Sequence, residues 1–460
     1  MLRYRSLLLF LILSVTACSP AQPTAAPPVW VPPTQAPPPT QAPSATPAPP
    51  LATATQPALG AQTGELGWVA YARDGGLWVQ SLPNGEAQRI TEAGDDARPR
   101  PSADGAWLAF RRAGALYVCA PDGSSLTQIA DSAGVPFYAW SPGENALLYQ
   151  SEDGRLLLAT FPGPAVEVLF SPGQGPLAGA QLVGWPAWSP DGQRVAFAVQ
   201  GGQPPAVDYT ALWVAAIADP GEISAAYQDP APQEGNLLLA GWAAGGDGLL
   251  FWKQLSFSAS LAADGLPLLW VTPGHDQPVN VATTLVEADF WEAAGPAVVV
   301  AAGSGRETWT GKQIQVFDLS TQPARVVSPP GLSALSPAVS PDGQRIAFSA
   351  GPDLAGSPPD GSALPERSLR LTDLQGQTQR QLTRDPAYRD EHPQWSADGR
   401  WLLFARIDAA GSGSLWLLSP WVEGAAPQKI AEGLDLGPYA QDTHGWINWG
   451  NLYAWWNGGE

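Results

Sequence analysis

The stretch PAWSPDGQRVAFAV occupies residues 186–199, and a near copy, PAVSPDGQRIAFSA, occupies residues 337–350. In both copies Pro-Asp-Gly predicts a tight turn, because Asp can accept a hydrogen bond from its own backbone and Gly supplies a positive φ. The residues before the turn favour one short strand, and those after it favour a second strand that is too apolar to face water. A unit that recurs so far along the chain indicates a repeat architecture.

Further copies of this unit are spread along the chain. They begin near residues 99, 138, 241, 291 and 393, and the copies near 241 and 291 are the weakest. A third strand such as residues 212–214 (LWV) and a fourth such as residues 380–383 (RQLT) complete the unit. Four short antiparallel strands at a period of roughly 40–50 residues are typical of a propeller blade. The sequence therefore predicts an all-β fold, a β-propeller of four-stranded antiparallel blades.

The two ends of the repeat region complement one another. Residues 67–91 hold strands two to four of a blade without a first strand, whereas residues 446–449 resemble a first strand followed only by NLYAWW. We therefore expect the C-terminal strand to enter the N-terminal blade and close the ring. Together with the units that carry their own first strand, this gives eight blades. The number is seven if the weak unit near Trp291 fuses with a neighbour.

The pattern P-x-W-S-P-D-G-x-x-I-A-F, followed by I-W and R-x-L-T, resembles the TolB-type propeller repeat, also called the WD40-like PD40 repeat. Residues 381–388, which lead into HPQWSADGR, are especially similar. The resemblance covers nearly everything after residue 64, and it implies an architecture rather than an activity, since one propeller fold serves many roles. The same repeats form the propeller of prolyl-oligopeptidase-like enzymes, which carry a separate hydrolase domain. We expect no residues to remain here for such a domain.

The beginning of the chain predicts export. Arg3 and Arg5 precede an apolar run over residues 6–15, and the sequence Val-Thr-Ala-Cys ends at Cys18. This arrangement resembles a bacterial lipobox, so residues 1–17 are interpreted as a lipoprotein signal peptide and Cys18 as the residue that receives lipid. An ordinary secretory signal that ends near a cysteine is the alternative.

Two regions follow the predicted signal peptide. Residues 18–63 contain the lipidated cysteine and a stretch rich in Pro, Ala and Thr, which predicts a disordered tether because it can bury little apolar surface. Residues 64–460 predict the propeller. We therefore expect an exported protein, anchored to a membrane by its N-terminal lipid, on the periplasmic or extracellular face.

Composition excludes some classes of protein. The chain has two cysteines, and with Cys18 lipidated Cys119 has no partner, so disulfides are not expected to hold the fold. The formal net charge is −19, which argues against nucleic acid as a partner because a surface that tracks phosphates must be basic.

Motifs for catalysis or cofactor binding are weak. No G-x-S-x-G nucleophile elbow and no H-E-x-x-H or C-x-x-C metal signature occurs. Residues 305–312 (GRETWTGK) superficially resemble a phosphate-binding loop, but they are one residue too long, and Gln313 stands where Ser or Thr should bind magnesium. The sequence thus predicts no catalytic residue, no cofactor and no metal.

Charged residues precede two first strands and the closing strand. In a propeller these positions crowd the mouth of the central channel. They are predicted as a binding site, with a solvated polar rim as the alternative: Asp95, Asp96, Arg98, Arg389, Asp390, Glu391, His392, Asp442 and His444.

These observations lead to one functional expectation and one alternative. We expect a lipid-anchored, non-catalytic propeller that binds an envelope protein or peptide as a scaffold. The alternative is a sensor for a small ligand or carbohydrate that uses the channel mouth. An apolar patch on one face would favour the protein binder, whereas an aromatic-lined pocket would favour the small ligand.

Overall fold

The structure is a computed structural model that describes residues 66–458, apart from residues 93, 132–136, 173–179, 204–205, 220–221, 256–262, 321–322, 356–365 and 437–443. The predicted signal peptide, residues 1–17, and the segment 18–63 with Cys18 lie outside the described residues. So does Asp442, one of the predicted mouth residues.

The strands of the described residues pair into eight four-stranded antiparallel sheets, which form the blades of a propeller ring. Blade 1 comprises β1 (Trp68–Arg73), β2 (Gly76–Ser81), β3 (Ala87–Arg89) and the C-terminal β32 (Tyr453–Trp456). Blade 2 comprises β4 (Ala97–Pro101), β5 (Leu108–Arg112), β6 (Ala115–Cys119) and β7 (Thr127–Ala130). Blade 3 comprises β8 (Tyr138–Trp140), β9 (Ala146–Gln150), β10 (Leu156–Thr160) and β11 (Ala165–Phe170). Blade 4 comprises β12 (Gln181–Trp188), β13 (Arg194–Gln203), β14 (Ala206–Ala216) and β15 (Ile223–Gln228).

The second half of the ring repeats this order. Blade 5 comprises β16 (Gly235–Trp242), β17 (Leu249–Leu255), β18 (Leu266–Val271) and β19 (Val279–Thr284). Blade 6 comprises β20 (Trp291–Ala294), β21 (Ala297–Ala302), β22 (Gln313–Asp318) and β23 (Arg325–Val326). Blade 7 comprises β24 (Leu332–Val339), β25 (Arg345–Pro352), β26 (Ser368–Asp373) and β27 (Gln379–Gln381). Blade 8 comprises β28 (Arg389–Trp395), β29 (Leu402–Ile407), β30 (Gly413–Leu418) and β31 (Gln428–Leu434). The predicted fold class and the preferred count of eight blades are confirmed.

Short 3₁₀ turns interrupt this all-β pattern at Pro232–Glu234, Ala288–Phe290 and Trp449–Asn451. Within the described part of the chain, no helical segment has the length and apolar character needed to cross a membrane.

The repeated Ser-x-Asp-Gly motif forms a self-contained turn. The hydroxyl of Ser189 donates to Oδ1 of Asp191 (2.5 Å), and the same oxygen accepts from the N–H of Gln193 (3.0 Å). The N–H of Arg194 donates to the hydroxyl oxygen of Ser189 (2.9 Å). Gly192 occupies φ +67°, a conformation that is unfavourable for residues with a Cβ but not for glycine. The Ser–Asp hydrogen bond recurs in three other blades, between Ser102 and Asp104, Ser340 and Asp342, and Ser396 and Asp398.

The tryptophan of the P-x-W pattern joins neighbouring blades. Its indole nitrogen donates to a backbone carbonyl of the first strand in the preceding blade. Four such bonds are Trp140 to Arg100 (2.9 Å), Trp188 to Ala139 (3.1 Å), Trp242 to Ala187 (3.0 Å) and Trp395 to Ala338 (2.9 Å). The motif therefore specifies contacts between blades as well as the turn within one blade.

Apolar side chains on both faces of each sheet make the core. In β1, Trp68 and Ala70 pack against Phe110 of blade 2, whereas Val69 and Tyr71 pack towards blade 8. Because neighbouring blades cover both faces, the inner strands are continuously apolar rather than alternating with polar residues. No blade can bury its surface without its neighbours.

The ring closes between the ends of the described chain. In blade 1, β32 pairs with β1, and Trp456 lies opposite Trp68 and Tyr453 opposite Tyr71. This confirms the predicted closure, but the closing strand lies further along the chain than residues 446–449. Those residues belong instead to a non-strand segment, residues 444–452, which we call the closing segment.

First strands of neighbouring blades contact one another, as β12 does with β16, β24 with β28 and β32 with β4. The first strand is therefore the innermost strand of each blade. Together these strands form the wall of the central channel.

Candidate functional site

Asp96 and Asp390, two of the predicted mouth residues, are each held in a buried ion pair. Arg112 binds Asp96 through two bonds of 2.7 Å, and Arg406 binds Asp390 through bonds of 2.6 and 2.9 Å. The hydroxyl of Thr91 also donates to Asp96. These carboxylates thus fasten the start of a first strand to the second strand of the same blade. Asp95 lies next to Asp96 in a left-handed conformation, φ +57°.

The spacing in the sequence carried a signal for this role. In both blades the aspartate and its arginine are 16 residues apart. Such a repeated pair is typical of a structural contact of the repeat, because a ligand site occurs once in a ring rather than once in each blade.

Arg389 and Glu391 form a second buried network, together with Arg367 at the edge of β26. Oε1 of Glu391 accepts from Nε of Arg389 (2.7 Å) and from Arg367, and Oε2 accepts from the indole of Trp449 (3.0 Å). Burial opposes the charge on Glu391, yet the two guanidinium groups hold its pKa below its usual range. Sequence reasoning missed Arg367.

This network binds the closing segment. Arg367 and Arg389 both donate to the carbonyl oxygen of Gly445, at 2.9 and 2.5 Å. Thr308 donates through its N–H (3.0 Å) and its hydroxyl (2.7 Å) to the carbonyl of His444. Four predicted mouth residues therefore lie in tightly bonded structural networks, and His444 takes part through its backbone.

His392 is placed differently. Its Nδ1 lies 2.7 Å from the hydroxyl of Tyr453, and its Nε2 lies 3.6 Å from Oδ1 of Asp289. Both ring nitrogens thus face polar groups that fix the orientation of the imidazole. Asp289 belongs to the 3₁₀ turn before β20 and was not predicted.

Bulges in the inner strands present the residues that face the channel. In each of β4, β24 and β28, one extra residue bulges out of the pairing with the second strand of the blade. At these bulges Arg98, Ser336 and His392 adopt φ values of +57°, +49° and +52°. Each of these residues precedes a proline. In β12 the register skips two extra residues, with Gly184 at φ +71° and Trp185 beside it. Bulges and left-handed non-glycine residues are concentrated at functional sites, where they aim a side chain.

The first channel cavity has a volume of about 390 Å³ and lies among blades 6, 7 and 8. Polar groups that line it include Asp289, Glu292, Ser336, His392 and Asn457. Oε2 of Glu292 accepts the N–H of Val339 (2.6 Å), and no cation is paired with this carboxyl among the described residues. Burial raises the pKa of Glu292 to about 7. Its carboxyl can therefore exchange a proton near neutral pH.

The second channel cavity has a volume of about 240 Å³ and lies beside the first. Both cavities are lined by Ala288 and Asp289. Its other walls include one further carboxylate, that of Glu287, and a set of arginine and aromatic residues: Arg98, Arg100, Phe137, Tyr138, Trp185 and Trp446. Among the described residues, the first cavity is thus lined by carboxyl groups and by no arginine or lysine, whereas the second is lined by two arginines as well as two carboxylates.

Residues 305–312 do not form a phosphate-binding loop. The Lys312 ammonium is buried and donates to the carbonyl oxygens of Ser304 (3.0 Å) and Gly305 (2.6 Å). Burial lowers the pKa of Lys312 to about 8. The lysine is thus bonded to its own loop.

Two other features of the described residues bear on chemistry. Cys119 is buried, and burial raises the pKa of its thiol to about 12, which leaves little reactive thiolate. No three histidine, cysteine, aspartate or glutamate side chains come together as a metal-binding group within the part of the chain that the structure describes.

Comparisons with known proteins give a fold and no family. No protein-family model matches the chain, and no curated protein matches it. Dipeptidyl peptidase 4 of Porphyromonas gingivalis is similar in structure, with a TM-score of 0.54 and 12% identity over 79% of this chain and 59% of that one. An oligogalacturonate lyase in complex with manganese has a TM-score of 0.43 and 15% identity, over 80% of this chain and 84% of that one. A prolyl endopeptidase has a TM-score of 0.48 and 11% identity, over 73% of this chain and 49% of that one.

These comparisons correct the functional expectation. The chain spans 59% of the length of the dipeptidyl peptidase, and at 12% identity the similarity shows the fold alone. Yet that protein is an enzyme, so the interpretation of this chain as a non-catalytic scaffold, and with it the exclusion of an enzyme, was wrong. The absence of short catalytic motifs in a sequence does not exclude catalysis, because side chains distant in the chain can form a site together. The strand pairing establishes an eight-bladed β-propeller, and the similarity to the dipeptidyl peptidase concerns this fold alone.

Proposed function

We propose that this chain binds a small polar substrate in the channel and transfers a proton to or from it, with Glu292 as the group that exchanges the proton. The proposal depends mainly on the arrangement of titratable side chains in the first cavity. There a carboxyl without a cationic partner lines the same space as His392 and Asp289. Titratable groups in a cleft whose environments differ are typical of acid–base sites.

The neighbours of Glu292 fit this role. Val339 fixes one carboxyl oxygen through its N–H, at 2.6 Å, and leaves the other oxygen for a substrate. His392 is held by Tyr453 and Asp289, so it can donate to or accept from a substrate in a fixed orientation. Oδ2 of Asp289 is buried without a hydrogen-bond partner among the described residues, which favours a polar group of a ligand beside it.

The proposal also covers the family and the location of the protein. The repeated Ser-x-Asp-Gly turns and the eight-bladed ring support a TolB-type propeller, and the Val-Thr-Ala-Cys sequence supports a lipoprotein anchored at Cys18. On this proposal the channel meets its substrate outside the cytoplasm, at the surface of a membrane.

The test is a search for conversion with a matched pair of variants. The purified chain is incubated with proline-containing peptides and with neutral and acidic oligosaccharides, and products are measured by mass spectrometry. Glu292→Gln removes the exchangeable proton and keeps the shape of the side chain. Glu432→Gln is the control, because Glu432 is exposed and pairs with Lys429 on the outer strand β31.

We expect at least one compound to be converted by the wild type and by E432Q, and not by E292Q. Conversion should rise or fall around pH 7, because that is where Glu292 titrates. Equal conversion by E292Q would contradict the role of Glu292, and no conversion of any compound would contradict the proposed activity.

A further inference from the structure

The second channel cavity has features of a site for an anion. We propose that Arg98 and Trp185 bind a carboxylate that is carried on a ring, so that the anionic ring of the substrate lies in the second cavity and its reacting part lies at Glu292. The inference rests on the proposed function for the position of the reacting part. The ligand class follows from the second cavity itself.

The guanidinium of Arg98 lines the second cavity. Its side chain makes no hydrogen bond and no ion pair with a described residue. The neighbouring Arg100, by contrast, donates to the carbonyls of Pro99 (2.9 Å) and Gly450 (2.6 Å). Glu287 and Asp289 line the same cavity, but neither forms an ion pair with Arg98. A guanidinium that lines a cavity without an ion pair to a described residue favours a ligand that brings an anion. The planar fork of arginine matches a carboxylate through two parallel bonds.

The backbone at Arg98 determines where this side chain lies. Its φ of +57° is unfavourable for a residue with a Cβ, and Pro99 restricts it further. The bulge between Ala97 and Arg100 is what turns Arg98 into the channel. The same bulge recurs at Ser336 and His392, so it belongs to the repeat, and of these three positions Arg98 is the one that places a guanidinium on it.

Trp185 supplies a flat apolar surface in the same cavity. It is 50% exposed, although tryptophan is mostly buried in folded proteins. The two-residue bulge with Gly184 at φ +71° presents it, whereas the next tryptophan of β12, Trp188, is used for the bond between blades. An exposed indole beside a guanidinium is suited to a ring that stacks on one face and carries charge at its edge.

The size and polarity of the channel restrict the ligand further. A cavity of about 240 Å³ is smaller than pockets for drug-sized ligands, which begin at about 300 Å³, so it suits one ring with its substituents. The adjoining first cavity is less favourable for a carboxylate, since Glu292 lines it and no arginine or lysine is among its described lining residues. A ligand with one anionic end is thereby oriented along the channel.

The experiment measures binding by calorimetry with two pairs of probes. Glucuronate is compared with glucose, and phenylacetate with phenylacetamide, so that each carboxylate has a neutral counterpart of similar shape. The first pair tests a sugar ring and the second an aromatic ring. We expect at least one carboxylate to bind the wild-type chain at least tenfold more tightly than its neutral counterpart.

The variants identify the residues. Arg98→Gln should weaken binding of that carboxylate by roughly 10- to 100-fold, the usual effect of losing a hydrogen bond to a charged group. Arg98→Lys keeps the positive charge but not the planar, forked guanidinium, so the loss of affinity for the carboxylate should be intermediate. Trp185→Ala should weaken both members of the pair. Arg400→Gln is the control, because Arg400 is 77% exposed on a turn outside the channel.

Two outcomes would overturn the inference: neither carboxylate binds the wild type, or R98Q and R98K bind it as the wild type does. Thermal melts establish that the variants are folded, and W185A gives a second test if R98Q is not. Glu292→Gln separates this inference from the proposed function, since it should retain carboxylate binding and lose conversion. Carboxylate binding through Arg98 without any conversion would contradict the activity alone. Conversion that depends on Glu292 with no preference for carboxylates would contradict the anion site alone.

Discussion

The indole nitrogen of Trp449 lies 3.0 Å from Oε2 of Glu391, and this hydrogen bond ties the closing segment to the first strand of blade 8. The other oxygen of the same carboxylate binds Arg367 and Arg389, which in turn hold the carbonyl of Gly445. One buried carboxylate therefore compensates two buried cations and anchors the segment that leads to the closing strand.

Glu391→Gln should destabilise the propeller by about 3–5 kcal/mol, because it leaves two buried guanidinium groups without a counter-charge. Urea denaturation followed by tryptophan fluorescence measures the change. The exposed pair of Lys429 and Glu432 provides the control, and E432Q should cost less than about 1 kcal/mol. A similar cost for both variants would show that the network contributes no more than a surface pair.

The stability of the wild type relative to Glu292→Gln should depend on pH. The pKa of Glu292 is raised to about 7 in the folded chain from a usual value of 4.5, so the folded state binds more protons between these two values. The stabilisation is fully present below pH 4.5 and is lost as the pH rises through 7, by roughly 3 kcal/mol in total. Denaturation at pH 4.5 and at pH 8 measures it. A difference between the two proteins that does not change with pH would contradict the raised pKa.

Trp395→Phe should cost about 1–3 kcal/mol, because it leaves the carbonyl of Ala338 without its indole donor at a contact between blades. Trp421→Phe is the matched control. The Trp421 indole also donates to a carbonyl, that of Gly399 at 2.8 Å, but Trp421 is largely exposed and water can replace it. The melting temperatures of the two variants are compared by thermal unfolding. Equal decreases would mean that the hydrogen bond between blades contributes no more stability than the exposed one.

Gly192→Ala should destabilise the chain by about 1 kcal/mol or more, since the residue occupies φ +67° in the turn of blade 4. Gly143 stands near the corresponding turn of blade 3, where a methyl group would meet nothing within 4 Å, and Gly143→Ala should be neutral or slightly stabilising. Denaturation midpoints measure the two effects. If Gly192→Ala stabilised the chain and Gly143→Ala destabilised it, the complete motif of blade 4 and the incomplete motif of blade 3 would not differ in the way that the structure indicates.

Cys18→Ser should abolish lipid attachment and release the chain from membranes. Metabolic labelling with an alkyne fatty acid, followed by fractionation, measures both. Cys119→Ser is the control, because Cys119 is buried in blade 2 and should have no influence on labelling. Labelling of C18S at the wild-type level would contradict the lipoprotein interpretation.

The sequence predicted the ring because the turn motif is local. Ser, Asp and Gly within a few residues, such as Ser189, Asp191 and Gly192, make a complete set of hydrogen bonds by themselves, and the pattern survives in most blades. The closing strand was misplaced because Trp446 and Trp449 resemble the tryptophan of the motif. In the structure the first packs on Phe290 and the second bonds Glu391.

The site was only partly predictable, for a physical reason. Charged residues before first strands drew attention to Arg98 and His392, which do line the channel cavities. Glu292 and Asp289 lie in the unit with the weakest motif, and the arrangement of blades 6, 7 and 8 around the channel brings them near His392, about a hundred residues further along the chain. Trp185 was not predicted, because nothing in the local sequence reveals the bulge that places it at the channel.

The pairing of β32 with β1 has a consequence for how the chain reaches its folded state. Of the described strands, β32 comes last in the chain and supplies the inner edge of the blade that comes first, so any chain without β32 is an open ring in which β1 has an unpaired edge. The N-terminal blade therefore stays incomplete until β32 joins it, although its own three strands precede all the other blades in the chain. Until then β1 exposes a strand edge that can pair with another molecule.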